Sequence, residues 1–201
     1  MKKIILASSS PRRKELLSTI INNFEVISPK YDESKYNLEP ISSSIKKLSL
    51  LKAQSISVNL TVSALVISAD TVVIADNKIM GKPKDKNDAF RMIKTLSGRV
   101  HKVITAIAII DTDNNKEYTD SATTYVTFNE LSDDDIWDYI DSKKPFDKAG
   151  AYGIQELPEF FVKNIEGYFD NVVACSFFLS IFRIVSTVCF AIKYSFISFF
   201  T

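Results

Sequence analysis

Apolar and polar positions along the chain switch between a helical and an alternating or continuous pattern, and the switches mark out helices and strands. Lys3–Ala7 reads as a short first strand. From Pro11 to about Asn22, Leu16, Leu17, Ile20 and Ile21 fall on one helical face, with Ser10-Pro11 as cap and first position. Phe24–Ser28 predicts a second short strand, followed by a polar loop around Asp32 and Glu33. Between about Ile41 and Val58, the positions Ile45, Leu48, Leu51, Ala53 and Ile56 recur at helical spacing. Leu65–Ser68 is then a continuous run that ends in Ala69-Asp70-Thr71, and Val72–Ala75 with Lys78–Met80 forms a hairpin pattern across Asp76-Asn77.

The second half repeats the logic. Asp85 caps a helix that runs to Leu96 and stops at Gly98, with Asp88 three residues after the cap. Two long β patterns, Val100–Ile110 and Tyr118–Phe128, flank the turn-rich stretch from Asp111 to Asn115. Ser132 opens a further helix with Asp133, Asp134 and Asp135 in its first turn, where the helix dipole favours acids. Pro145–Gln155 is a loop dense in small residues, where backbone can approach a ligand closely. Alternating strands and helices without internal repeats predict an α/β fold with a mixed sheet.

Composition narrows this picture. With 201 residues and 46% apolar content, the chain can fill one domain, or two lobes sharing a sheet. A net charge of +1 gives no nucleic-acid-binding stripe, so any anion must be met by a local cluster. Cys175 and Cys189 are the only cysteines, which leaves no disulfide framework and fits a reducing compartment. The first apolar run is shorter than the ~7–15 residues of a secretory core and is read as a strand. Residues 174–201 form an atypical hydrophobic tail with seven of the fourteen Phe residues and no acid. A spanning helix needs ~20 apolar residues, and Arg183 and Lys193 interrupt this stretch, so a membrane anchor is disfavoured.

Candidate chemistry starts at Ser8-Ser9-Ser10-Pro11-Arg12-Arg13, between the first strand and the first helix. Free N–H groups at a helix N-terminus attract anions, whereas cations in the first turn oppose the dipole by roughly 0.3–1 kcal/mol each. Arg12 and Arg13 therefore either face a negative ligand such as phosphate, or project into water or pair with Asp32 or Glu33. Asp70 follows an apolar strand and is expected at its carboxyl end, where open α/β sheets hold their ligands. There it can bind Mg²⁺ or activate water, or simply cap a turn. Lys52, Lys82 and Lys148 could each meet a phosphate oxygen, though exposed lysines are usually only solvated. His101, the sole histidine, reads as a hydrogen-bonded structural group and leaves no histidine triad. Neither GxxxxGK[ST] nor GxGxxG occurs.

Five stretches, in order, together resemble the Maf family of nucleoside triphosphate pyrophosphatases. They are LASSSPRRKELL near the start, SADTVV at 68–73, GKPKD at 81–85, LSGRVHKVITAIAI at 96–109 and DKAGAYGIQ at 147–155. The likeness covers about residues 3–173, and the domain expected is 1–173, with 174–201 left as the tail. The resemblance implies a two-lobed Maf/ITPase-like α/β fold with a long curved mixed sheet, a homodimer, and a cytoplasmic enzyme without nucleic-acid or membrane partners. It implies hydrolysis of a nucleotide to monophosphate and pyrophosphate with a divalent cation, Mg²⁺ or else Mn²⁺ or Co²⁺. Asp70 matches the catalytic acid and metal position, and Glu33 a second metal-side acid. Ser8, Arg12, Arg13, Lys52 and Lys82 match triphosphate-binding positions.

The DKAGAYGIQ stretch is similar to the subgroup that prefers dTTP and UTP, in which Arg12, Thr71 and Gln155 match positions tied to substrate choice. The family also contains members that prefer 7-methyl-GTP, and it has been linked to inhibition of septum formation. A purine-handling enzyme and a non-catalytic nucleotide-binding regulator are thus the alternatives. The resemblance breaks after Val173, where Gly-Leu-Pro is absent, and after Gln155, where Glu156-Leu157-Pro158 replaces a glycine-rich continuation.

Overall fold

A computed structural model of the chain describes residues 2–30, 41–167 and 169–172. Asp32, Glu33 and the tail at 174–201 lie outside the described residues. The elements run β1 (Lys3–Ala7), α1 (Pro11–Ser18), β2 (Glu25–Ile27), α2 (Ile41–Ser57), β3 (Ala64–Ala75) and β4 (Lys78–Met80). They continue with α3 (Lys86–Leu96), β5 (Val100–Asp111), β6 (Lys116–Phe128), α4 (Asp133–Lys143), β7 (Val162–Glu166) and α5 (Phe169–Val172). The strands form a mixed seven-stranded sheet in the order β2-β1-β3-β5-β6-β7, with β4 paired to β3. β1 is parallel to both β2 and β3, whereas β6 and β7 are antiparallel.

Helix boundaries follow their caps. Asp85 accepts a hydrogen bond from the Asp88 N–H at the start of α3, and Gly98 follows that helix with φ +70°. Ser132 and Asp135 close a reciprocal capping box at the start of α4. At α1 the expectation needs correcting on two counts. The helix stops at Ser18 rather than near Asn22, because the Ser18 and Thr19 hydroxyls bond back to the Glu15 and Leu16 carbonyls. Ser10 does stand at the N-cap, but its side chain makes no cap bond; its N–H donates to Ser8 Oγ instead.

The chain divides into two compact units. The first comprises the described residues through Asp70 together with Ala106–Ser121. Strand alternation sorts its core onto two faces of the sheet. Leu65, Ile67 and Ala69 of β3 pack with Leu6 and with Leu17 of α1. Ala64 and Val66 pack with Ile5, Ala7 and with Ala53 and Ile56 of α2. The second unit comprises Thr71–Thr105 and the described residues from Ala122 onward. In it α3 packs on α4, with Phe90 stacked on Trp137 at 4.7 Å between ring centroids. Among the described residues no helix is long and apolar enough to cross a membrane.

Candidate active site

β3 corrects the reading of Asp70. The strand does not end there; it runs on through Val72–Ala75, whose apolar pattern continues it, and takes β4 as a new partner from Val73 to Ala75. What ends is the pairing with β1, whose last aligned pair is Leu6 with Ile67. Asp70 therefore sits mid-strand, three residues beyond the point where the parallel neighbour turns away into α1. The ligand-side position expected of a strand end is kept by the neighbour's exit, not by the strand's own.

In the first unit, alternation along β3 puts Ser68 and Asp70 on the face that carries α2. Ser49 and Lys52 lie three residues apart on α2, about one helical turn, and meet those two side chains in turn. Ser68 Oγ donates to the Ser49 carbonyl, and Lys52 Nζ donates to Asp70 Oδ2 at 2.5 Å. Lys52 and Asp70 are 7% and 8% exposed, so the pair is largely shielded from water. From the other side, Arg13 in the first turn of α1 donates from Nη1 to the Ala69 carbonyl at 2.7 Å. Arg12 stands half-buried beside it, and Ser8 is buried at the end of β1 with its hydroxyl on the Ser10 N–H.

Five of the residues singled out in the sequence, Ser8, Arg12, Arg13, Lys52 and Asp70, are thus gathered in one unit. Among these five described residues three are cations and one is a carboxylate, in a chain whose net charge is +1. Cations grouped in this way suit a polyanion. A cage for a metal of its own is not formed: among the described residues no three His, Cys, Asp or Glu side chains come together. A magnesium site needs no such cage, because Mg²⁺ is usually held by one or two carboxylates plus substrate phosphates. Asp70 fits that donor set.

The second unit carries Thr71, Lys82 and Gln155. Thr71 is half-buried and its hydroxyl lies 3.0 Å from that of Thr105 on β5. Thr105 donates in turn to the Asn171 carbonyl, and the Asn171 amide reaches Val103 O, Ala122 O and Thr124 Oγ1. Thr105 and Asn171 are both fully buried, and in the sequence Thr105 shows only as a polar residue inside the apolar run of β5. Lys82 and Gln155 are exposed, and a backbone bond from Gly150 N to Gly81 O at 3.0 Å joins the two loops that carry them. Lys148 is buried and already held by Asp147 at 2.9 Å and Glu156 at 3.2 Å, so its charge is neutralised within its own loop.

His101, 2% exposed, meets Tyr152 of that loop, Nε2 to Oη, at 2.7 Å. Burial pulls the His101 pKa down to about 4, and pushes that of Tyr152 up. The expectation of a hydrogen-bonded histidine in the fold agrees with this contact. A cavity of about 170 Å³ beside His101 and one of about 480 Å³ along Gln54, Val58 and Glu117 are both lined by residues other than Asp70 and the arginines.

The chain is similar to known proteins. Residues 3–179 match the family described as Maf-like protein. The dTTP/UTP pyrophosphatase of Clostridium beijerinckii is 49% identical over 172 residues, covering 85% of this chain and 92% of its own. That of Alkaliphilus oremlandii is 49% identical over 179 residues, covering 89% of this chain and 92% of its own. A solved nucleoside-triphosphatase, the dITP/XTP pyrophosphatase of Mycobacterium abscessus, is similar over 63% of this chain and 74% of its own, at 18% identity and a TM-score of 0.44. A likeness that runs unbroken through both compact units, and through nearly the whole length of its sequence relatives, is more than a shared motif: the chain belongs to the Maf family.

Proposed function

We propose that the protein is a nucleoside triphosphate pyrophosphatase that hydrolyses dTTP and UTP to the monophosphate and pyrophosphate. The observation that carries this reading is the Lys52–Asp70 pair, set where β1 leaves β3 and flanked by Arg13 on the adjoining carbonyl. The named activity of the relatives at 49% identity supports it.

A triphosphate brings about four negative charges, which must be spread before water can attack phosphorus. Ser8, Arg12, Arg13, Lys52 and Lys82 are assigned to its oxygens. Asp70 accepts a proton from the attacking water as the new bond to the α-phosphorus forms. The bond from that phosphorus to the bridging oxygen breaks, and pyrophosphate leaves with its electron pair. Lys52 fixes the orientation of the carboxylate for that transfer. A divalent cation, Mg²⁺ or else Mn²⁺ or Co²⁺, would be held by Asp70 with Glu33 and would draw charge from the phosphate oxygens. Arg12, Thr71 and Gln155 are assigned to substrate choice. The reading extends to a homodimer acting on the free nucleotide pool of the cytoplasm.

Asp70→Asn tests the assignment, since it keeps the shape of the side chain and removes the proton acceptor. Turnover of UTP, followed by pyrophosphate release, is expected to fall by about 10²–10⁴-fold. Near-normal turnover would remove Asp70 from this role. A panel of dTTP, UTP, 7-methyl-GTP and other nucleotides, with and without Mg²⁺, sets the substrate. Tight binding of UTP without product would favour the non-catalytic regulator.

A further inference from the structure

The loop at 147–155 holds a conformation that its own sequence disfavours. Gly150 and Ala151 are both left-handed, with φ +68° and +61°. Gly150 suits this, and a Cβ there would meet Val73 at 3.0–3.1 Å. Ala151 does not: an L-residue with a Cβ pays roughly 1–2 kcal/mol for the left-handed region, so the surroundings must hold it. Tyr152, the next residue, is where they do. It returns to extended backbone and its side chain is 5% exposed. Its ring lies edge-on to His101 and to Phe128, with centroids 5.4 and 5.1 Å away.

A phenylalanine would fill that aromatic cluster equally well. Burying a hydroxyl against an imidazole is costly unless the two bond to each other, and at 2.7 Å they do. Packing alone lets a ring slide, whereas a directed bond fixes its depth and rotation. Since β5 lies between β3 and β6 and is mostly buried, the bond ties the loop to an interior strand of the sheet. Three residues later the chain presents exposed Gln155, and through Gly150 N the same loop grips Gly81, beside exposed Lys82.

We infer that the His101–Tyr152 hydrogen bond is the anchor that positions the 147–155 loop for the nucleotide, which makes Tyr152 and His101 positioning residues for substrate binding. This rests on the reading above only in taking Gln155 and Lys82 as groups that meet substrate. Neither anchor residue touches the reacting phosphorus, so the effect falls on KM and not on kcat.

The test uses Tyr152→Phe, His101→Leu, their double variant and His101→Gln, whose side-chain amide reaches the position of Nε2. Tyr152→Phe and His101→Leu are each expected to raise KM for UTP about three- to tenfold with kcat within about twofold, the size of one lost hydrogen bond. The double variant is expected to be no worse than either single one, and His101→Gln to stay close to the unmodified protein. Hydrogen exchange gives a readout free of activity: amides of 149–155 should exchange faster in Tyr152→Phe, with α3 and α4 unchanged. If the unmodified protein turns over UTP and Tyr152→Phe has the same KM, the inference is overturned. If the unmodified protein hydrolyses no nucleotide, the pyrophosphatase reading fails on its own, and unchanged exchange in Tyr152→Phe would then sink the anchor as well.

Discussion

Lys52 and Asp70 keep only 8% and 11% of their side-chain surface, a depth at which an ion without its partner is costly. Such a pair stabilises little on balance, because desolvation offsets most of the attraction. In the proposed mechanism its role is to fix the carboxylate. His101 shows the other response to burial: among the described residues no carboxylate is hydrogen-bonded to it, Tyr152 bonds it, and Asp76 and Lys102 share the lining of the cavity beside it. Its pKa of about 4 lies below the ordinary 6.5, so the unfolded chain binds more protons between those values. The stability it supports is therefore complete above about pH 6.5 and is lost as pH falls towards 4, by at most about 3 kcal/mol. His101 is the only histidine, so the effect can be isolated. Urea unfolding at pH 4.5 and pH 7 should show a smaller pH difference for His101→Gln than for the unmodified protein. Equal differences would mean that His101 titrates normally in the fold.

Elements show what the chain states locally and what it leaves to its partners. Asp85 and Ser132 mark helix starts because their capping bonds close within four residues, and Gly98 marks the end of α3 by its left-handed φ, so α3 and α4 are legible from sequence. Arg12, Arg13 and Asp70 also stand out in the sequence, as charges against apolar elements. The sequence places the end of β3 too early, because nothing in Ala69-Asp70-Thr71 tells where β1 stops running alongside. The pairs Ser49 with Ser68 and His101 with Tyr152 were out of reach for the same reason: they join residues 19 and 51 positions apart. The DKAG turn is intermediate, with a glycine visible in sequence but its packing against Val73 visible only in the fold. Gly150→Ala should cost roughly 1–3 kcal/mol, because the left-handed φ and the close Val73 contact oppose a Cβ together. A melting temperature within about a degree of the unmodified protein would contradict that account.

For the whole molecule, the decisive fact is how the two compact units share the chain. β3 passes from one to the other after Asp70, β5 after Thr105 and β6 after Ser121, so three strands belong in part to each. A strand cannot lose its ladder in one half without exposing apolar residues and unpaired backbone groups at the break, and buried unpaired groups cost about as much as lost hydrogen bonds. Three such breaks would accompany any separate unfolding of one unit. The units should therefore unfold together, in one cooperative transition, although each is compact in itself. Trp137, the single tryptophan, lies in the second unit against Phe90 and reports on it by fluorescence, while far-UV circular dichroism reports on both units. In urea the two signals are expected to give the same midpoint. A fluorescence transition displaced from the dichroism transition would show that the shared strands do not couple the units, and a Lys52–Asp70 site in the first unit could then persist after the Gln155 loop of the second had melted.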